Sequence, residues 1–479
     1  MSAVVAQVEY PTTSRIVSSR LFFASGTASI ILYVLLAAVF WTDAVFNRTR
    51  AIEIFQYVVL AVLTVLYFVG LSRVQQVSPR SIIAFGLAFA MLGFMIAPFD
   101  STDVFFYMAQ GWLQTHYGGN PYANVLRDIP NVASDPMIQS RWMELNHNPW
   151  LDEPIPYGFA FALLARFVAW LGQGDLWVTL TLFAIINLGV HCAVGFLLWK
   201  SASMIPGANP KLILYLYVWN PLVLLQYLSN LHNDIIMGAL ILLAFYCLCR
   251  KRPVWVLATL AIAGFVKYAA FALVPIAAIR VFRQFGAKEA VKSIAAAAIV
   301  TAALSHPYVW DIQSFKYHEV VSQLSESRGS MHGFMMYPLS AVFSTLSPIV
   351  HVDLGLVSRI CRRLLWLIVI AFGVRELWRA WRRSFATPIE VAVRWTSVLF
   401  AVLFIGSSQF YSWYIGMIFP LSLLCVGVSR VSDILVLLSG THMVGFSFLR
   451  FNHFAYFLVA TIIPAALVLR WRERLRIEH

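Results

Sequence analysis

Long apolar runs recur along almost the whole chain, and they constrain its fold more than any other feature. A membrane-spanning helix needs about 20 mainly apolar residues, and runs of roughly this length follow one another from residue 21 to residue 468. Of the residues, 60% are hydrophobic and only 12% are charged, which argues against a water-soluble enzyme. Because lipid offers no hydrogen bonds to exposed backbone, the runs predict an all-α, polytopic transmembrane helix bundle.

The apolar runs predict about 14 spans. The first run is long and lacks a small-residue cleavage site, so we read it as a span and not as a signal peptide. The spans are Leu21–Trp41, Ile52–Leu71, Ser81–Pro98, Leu176–Trp199, Leu212–Leu228, Ile235–Cys249, Val254–Val266, Ala269–Val281, Ala290–Tyr308, Val357–Val374, Ile389–Ser407, Trp413–Val428, Ile434–Phe448 and Ala455–Val468. Two shorter stretches, Gly158–Leu171 and Phe334–Val350, can cross the membrane or lie flat on it.

The basic residues decide between these topologies. The chain carries a net charge of +13, mostly in short basic runs between the spans. If both short stretches lie flat as interfacial helices on the outer face, five basic loops and both ends become cytoplasmic, as the positive-inside rule requires. One misfit remains, because Arg359, Arg362 and Arg363 then lie outside. Since the rule accounts for the charge, we expect the lipid bilayer, and no nucleic acid, as a partner.

The predicted topology divides the chain into three parts. These are a cytoplasmic segment 1–20, a single transmembrane domain 21–470 and a basic cytoplasmic tail 471–479. Residues 99–174 of the domain form an outer loop with its interfacial helix, and the part Phe99–Tyr157 has seven acidic residues against two arginines. A polar loop of this length usually carries function. The five cysteines all lie in apolar stretches, so we expect no disulfide or zinc framework.

Asp100 and Asp103 lie where the chain leaves the third span and enters this loop. Two carboxylates three residues apart share a face if the segment is helical. A half-desolvated carboxylate at this depth can have a raised pKa and act as a general base on a hydroxyl group. The alternative is structural, with Asp100 capping a helix and Asp103 in its first turn, where the helix dipole favours anions.

A second polar turn, His232-Asn233-Asp234, joins two spans with scarcely any loop. Its side chains offer donors and acceptors to a polar ligand at the membrane surface, although Asn233 or Asp234 can also serve as a helix N-cap. Lys267 lies at the apex between two short apolar stretches. There it can pair with a lipid phosphate, or it can extend its ammonium group to the headgroups without a specific role.

Further candidates are spread over the same predicted outer face. Donor-phosphate binding is expected from cationic or imidazole side chains, namely Lys267, His232, His306, Arg328 and Arg450. Sugar or acceptor binding is expected from aromatic and polar side chains, namely Tyr107, Asn120, Tyr122, Asn233, Asp234, Gln409, Tyr411, Trp413 and Tyr414. Aromatic residues at span ends also form the ordinary interfacial belt. No metal-ligand spacing is convincing, so we expect no metal and no cofactor.

The order of these motifs resembles that of the GT-C glycosyltransferases, and it looks closest to the bacterial polyprenyl-phosphate-mannose-dependent α-mannosyltransferases. The resemblance extends from about Asp100 to Pro420. It rests on the acidic pair, Gly118-Gly119-Asn120-Pro121-Tyr122, Pro156-Tyr157-Gly158, His232-Asn233-Asp234, Val266-Lys267-Tyr268 and Tyr411-Ser412-Trp413-Tyr414. The sequence departs from the family at Phe159, where a proline is common.

The resemblance implies a GT-C-like fold and a reaction on the outer face of the plasma membrane. The donor would be a sugar, expected to be mannose, on a polyprenyl phosphate, and the acceptor a hydroxyl of a glycan or lipid-linked glycan. An aspartate at the start of the first outer loop serves the family as base, with inversion at the anomeric carbon. Either Asp100 or Asp103 fills that position.

Two other classes of function remain open from the sequence. A transporter or lipid flippase is the first, but transporters place ionisable residues near the membrane midplane and often show two inverted halves. Here the polar groups gather at one face, and no internal repeat is visible. The second is a non-enzymatic assembly subunit that uses the acidic loop as an interaction surface. The position of the polar groups favours an enzyme.

Overall fold

The computed structural model describes residues 12–42, 49–130, 132–140, 143, 152–318, 330–346, 353–382, 387–449, 455 and 458–477. Within these ranges the regular elements are all helical. The described α-helices of the first half are α1 (Thr12–Phe40), α2 (Arg50–Leu71), α3 (Pro79–Met95), α4 (Asp103–Thr115), α5 (Phe159–Gly172), α6 (Leu176–Ala202), α7 (Pro210–Val218) and α8 (Pro221–Leu224). The all-α helix bundle expected from the sequence is confirmed.

The second half continues in the same way. Its helices are α9 (Asp234–Cys249), α10 (Pro253–Val266), α11 (Val274–Phe285), α12 (Ala287–Ser305), α13 (Met331–Leu346), α14 (Leu354–Arg382), α15 (Pro388–Phe400), α16 (Phe419–Ser422), α17 (Arg430–Leu449) and α18 (Ile463–Ile477). Helices α9, α10 and α12 pack side by side, while α1, α2 and α3 form a second group.

Five of the described helical segments are long and apolar enough to cross a membrane. They are Ser19–Phe40, Arg50–Leu71, Leu176–Ala202, Tyr268–Phe285 and Pro388–Gly406. A sixth candidate is the pair Pro210–Val218 and Pro221–Ser229, which is bent by 50°. Together with the hydropathy of the sequence, these segments indicate a membrane protein. The remaining predicted spans include apolar helices of 10–17 residues, so the count of 14 stays a prediction.

Local chemistry explains where the bent pair breaks. The run Leu212–Leu228 was expected as one span, but the α-helix stops at Val218 and restarts at Pro221. The Asn220 side chain accepts from two backbone amides of the new helix, and its Nδ2 donates to Ser439 Oγ at 2.7 Å. A proline in the first turn and an asparagine before it are the expected start signals of a helix, so the uninterrupted span was wrong.

The run Trp413–Val428 was also expected as one helix, and that expectation is wrong. The chain forms a 3₁₀ helix at Ser412–Met417, the short helix α16 and another 3₁₀ turn at Leu423–Cys425. A Cβ at Gly416 would lie 2.0 Å from the hydroxyl of Tyr227, so the backbone approaches its neighbour too closely for any larger residue. This close approach is a tertiary constraint, which hydropathy does not report.

The outer loop contains more regular structure than its polar composition predicts. Helix α4 begins at Asp103, and most of its side chains are buried. It packs against α5, the helix that corresponds to the predicted interfacial stretch Gly158–Leu171. The stretch Phe334–Val350 corresponds to α13, although residues 347–350 lie outside the described ranges. The domain boundaries and the flat orientation of α5 and α13 stay predictions.

Candidate active site

Asn230 ties the entrance of the outer loop to the second polar turn. Its Oδ1 accepts hydrogen bonds from the backbone amides of Phe99 and Asp100, at 2.9 and 3.0 Å. The Ser229 hydroxyl donates to the carbonyl oxygen of Ala97 at 3.1 Å. Two segments 130 residues apart in the chain are therefore held together at the end of the spans.

Asp100 and Asp103 have different surroundings. The Asp100 carboxylate accepts a hydrogen bond from Gln226 Nε2 at 3.0 Å and lies before α4 begins. It therefore does not cap the helix, and the two carboxylates do not share a helical face as expected. Asp103 is the first residue of α4, and its Oδ1 accepts from the Ser101 hydroxyl at 3.1 Å.

His232 lies against the other oxygen of Asp103. Its Nδ1 is 3.4 Å from Asp103 Oδ2, and the His232 side chain is fully buried. Burial raises the pKa of the Asp103 carboxyl, but the contact with His232 and the positive charge of Lys267 outweigh burial. The net effect is a pKa below the ordinary value, so Asp103 is ionised at neutral pH.

Aromatic stacking fixes the plane of the imidazole. The His232 ring stacks on Trp413 with 4.1 Å between ring centroids and an interplanar angle of 11°. Trp413 in turn stacks on Tyr411 at 4.6 Å. Leu231 has a positive φ of 57°, so the backbone turns sharply just before His232. Sequence analysis grouped His232 with the phosphate ligands, whereas the structure places it beside a carboxylate.

Lys267 is held from three sides. The residue is extended between α10 and the 3₁₀ helix Tyr268–Leu273, which confirms its position at the apex of a hairpin. Its Nζ lies 2.8 Å from Asp234 Oδ1 and sits over the rings of Tyr157 and Tyr414, at 5.3 and 5.0 Å from their centroids. An ammonium group over aromatic faces gains electrostatic attraction, so the lysine is positioned and not snorkelling freely.

Tyr107 and Tyr157 complete the wall between Asp103 and Lys267. Their rings meet edge to face at 5.3 Å. Burial raises the pKa of both phenols well above its ordinary value, and the negative charge of Asp103 adds to the effect. Both side chains therefore stay neutral and can donate a hydrogen bond.

Several buried polar atoms in this region have no hydrogen-bond partner in the described part of the chain. They are His232 Nε2, both amide atoms of Asn233, Asp234 Oδ2 and Ser412 Oγ. Asn233 occupies the N-cap position of α9, as one of the alternatives expected, but its side chain makes no capping hydrogen bond. An unsatisfied buried polar group costs about 1–3 kcal/mol. Such a concentration is typical of a site that receives a polar ligand or water.

The other predicted residues have varied positions. Asn120 and Tyr122 belong to the loop framework, because Asn120 Oδ1 accepts from the Tyr122 amide and the Tyr122 hydroxyl donates to the Tyr157 carbonyl oxygen. His306 is exposed at the end of α12 and packs against Trp310. At Gln409 the backbone bonds with the Ser407 hydroxyl.

Arg328 and Arg450 lie outside the described residues. No group of three or more His, Cys, Asp or Glu side chains in the described residues could hold a metal ion. Sequence analysis missed Gln226, Asn230 and Tyr157 as site residues. A polar Gln226 inside the apolar run Leu212–Leu228 was an available signal, because polar groups within spans usually have a role.

The fold and the site together define a class of protein: a polytopic membrane protein whose ionisable groups meet where several spans end. A family model described as "Alpha-(1->6)-mannopyranosyltransferase, N-terminal domain" matches residues 19–283, more than half of the chain. The chain therefore belongs to this family, the MptA_B family. The matched segment includes Asp103, His232 and Lys267.

Curated relatives agree with the family. Alpha-(1->6)-mannopyranosyltransferase A of Mycobacterium tuberculosis is 26% identical over 337 residues, which cover 68% of this chain and 62% of that protein. The protein of the same name from Corynebacterium glutamicum is 25% identical over 179 residues, 37% of this chain and 34% of its own length. The chain thus covers less than two thirds of the length of either relative. No solved structure matches the chain.

Proposed function

We propose that this protein is a membrane glycosyltransferase that moves a mannosyl group from a polyprenyl-phosphate donor to an acceptor hydroxyl with inversion at the anomeric carbon. The observation that carries the proposal is the meeting of Asp103, His232 and Lys267 in one buried polar cluster, from three segments of the chain. A base and a cation in one place are what transfer from a phosphate requires.

Asp103 is the proposed base. Its carboxylate is ionised, and it lies in the cluster that contains the lysine, whereas Asp100 bonds to Gln226. In the transfer step the acceptor oxygen forms a bond to the anomeric carbon while its proton passes to Asp103. The bond between that carbon and the phosphate oxygen breaks, and its electron pair leaves with the polyprenyl phosphate.

Lys267 is the proposed phosphate partner. Its ammonium group has three donors, and the ion pair with Asp234 accounts for one contact. A fixed cation lowers the energy of charge that develops on the departing phosphate. The position of Lys267 between two tyrosine rings and Asp234 makes it available without reorganisation.

The finer substrate assignments follow from the membrane setting and the relatives. The lipid tail would lie in an apolar groove between helices, because ligand pockets in helix bundles commonly form there. The names of the relatives support an α-(1→6) linkage. The predicted topology puts the cluster on the outer face of the plasma membrane, and the transporter alternative has no observation in its favour.

The test compares Asp103→Asn with Asp100→Asn in the purified, reconstituted protein. With a short-chain polyprenyl-phosphate-mannose donor, Asp103→Asn should lower turnover by roughly 10²-fold or more, because general-base contributions are of this order. Asp100→Asn should lower it by less, because Asn still accepts the hydrogen bond from Gln226. Turnover of Asp103→Asn near that of wild type would refute the assignment, and a folded wild-type protein without any transfer would refute the proposed activity.

A further inference from the structure

Helices α11, α14 and α15 bring together a second group of charged residues, outside the candidate active site. We call this group the arginine cluster. It has five arginines against two glutamates, an excess of three positive charges. Its members are Arg280, Arg375, Arg379, Arg382, Arg394, Glu376 and Glu390.

Glu376 organises the cluster from within. The residue is 2% exposed, and its two carboxylate oxygens bind guanidinium groups of Arg379 on α14 and Arg394 on α15. A buried carboxylate paired in this way fixes both arginines in direction. The three helices therefore present a preformed cationic surface and not a set of independent mobile side chains.

Two arginines of α14 remain open to the surroundings. The Arg375 side chain is 55% exposed and lies 3.9 Å from Glu376, while Arg382 stacks on Trp378 at 4.4 Å. On α11, the Nε atom of Arg280 is buried without a hydrogen-bond partner in the described residues. The charge of Glu390 acts on Arg280 but leaves that donor unused.

An apolar surface continues from the cluster along α14. Its large side chains repeat every three or four residues, so they lie on one face of the helix. They are Leu367, Ile370, Val374, Trp378 and Trp381, each more than half exposed. Trp381 also stacks on Phe282 of α11 at 6.1 Å, which joins the two helices beside the arginines.

We propose that the arginine cluster binds the headgroup of an anionic glycerophospholipid whose acyl chains lie along the exposed face of α14. The cationic surface complements a phosphate, for which planar guanidinium groups are suited. The apolar stripe complements the chains, and the two tryptophans alternate along α14 with the arginines, as aromatic and basic residues do at membrane surfaces. This combination does not suit a free nucleotide, which has no apolar chain to cover the stripe.

The experiment measures lipid retention by native mass spectrometry of the whole protein from nanodiscs. The probes are phosphatidylglycerol and phosphatidylcholine with identical chains, which differ only in headgroup charge. Wild-type protein should retain at least one phosphatidylglycerol under conditions that remove phosphatidylcholine. The double variant Arg375→Gln/Arg382→Gln should weaken that retention roughly tenfold, because each basic residue near an anionic lipid contributes measurably.

The matched control is Arg80→Gln/Lys200→Gln, which removes the same charge from exposed residues of α3 and α6. Neither helix is among the packing neighbours of α14. The control should retain phosphatidylglycerol as wild type does. Equal loss in both double variants would mean general surface electrostatics and overturn the site.

Two further outcomes also overturn the site. Equal retention of the two lipids by wild-type protein would show that the headgroup charge is not recognised. A mass of two chains without bound lipid would show that a second copy covers α14. If the double variant does not fold, the comparison of the two lipids on wild-type protein still tests whether the headgroup charge is recognised.

Discussion

Asp234 and Glu376 are both buried carboxylates with cationic partners, yet their surroundings differ. Both oxygens of Glu376 bind arginines. Asp234 has one oxygen on Lys267, while the other has no partner in the described residues. Both residues are at most 2% exposed, so burial alone does not separate them. The difference lies in their hydrogen bonds: both oxygens of Glu376 have partners, whereas Asp234 Oδ2 can still accept a hydrogen bond.

The same difference extends to the neighbours. Around Asp234, the unused polar atoms belong to adjacent residues such as His232 and Asn233. A folded protein keeps such atoms buried only at a cost in stability, which is a common property of functional sites. A satisfied pair such as that of Glu376 holds elements together and orients their side chains. The comparison therefore predicts that mutation around Glu376 mainly lowers stability, while mutation around Asp234 lowers turnover.

The largest effect is expected for Glu376→Gln. The change removes the charge that two arginines bind, and a hydrogen bond to a charged group contributes about 1.5–3 kcal/mol, so thermal stability in detergent should fall strongly. The control is Glu289→Gln, which breaks the exposed pair with Lys292 on α12 and should change stability by less than about 0.5 kcal/mol. Equal melting temperatures for the two variants would contradict the structural role of Glu376.

Lys267→Met should lower turnover, and it should also lower thermal stability because the buried Asp234 carboxylate loses its partner. Loss of a cation that stabilises transition-state charge lowers turnover by roughly 10²-fold, and donor affinity should fall less than turnover. Lys267→Arg keeps the charge but changes its reach, so partial recovery is expected. Turnover and donor affinity are measured on the reconstituted variants. Wild-type turnover of the methionine variant would show that the donor phosphate is held elsewhere.

A smaller effect, visible mainly in pH dependence, is expected at His232. A base must be deprotonated, so kcat/KM falls as pH drops through the pKa of Asp103. The contact with His232 lowers that pKa against the effect of burial. His232→Ala should therefore move the acidic limb of the profile to higher pH and lower kcat about tenfold, with KM nearly unchanged.

His232→Asn is the conservative comparison for this prediction. Its amide nitrogen can take the position of Nδ1 and keep a hydrogen-bond donor toward Asp103, but it cannot carry a charge. The shift of the acidic limb should be smaller than in His232→Ala. An unchanged profile in both variants would mean that His232 has only a packing role against Trp413.

Much of the candidate site could be located from the sequence, because apolar runs mark where the chain leaves the lipid. Asp103, His232 and Lys267 all follow or precede such runs, so their positions at helix ends were predictable. The roles of these three residues were harder to predict from the sequence. The expected helical face shared by Asp100 and Asp103 is absent, since α4 begins at Asp103.

Hydropathy and charge thus determined the helical bundle, its membrane class and the turns between apolar runs that carry ionisable groups. Only the tertiary structure decided which of these groups meet. The pair Lys267–Asp234 joins residues 33 positions apart, and Asp100 contacts Gln226 across 126 positions. Periodicity specifies which face of a helix is apolar, but the partner of a side chain depends on how helices pack and where they bend. The break at Asn220 and the close approach at Gly416 belong to that packing.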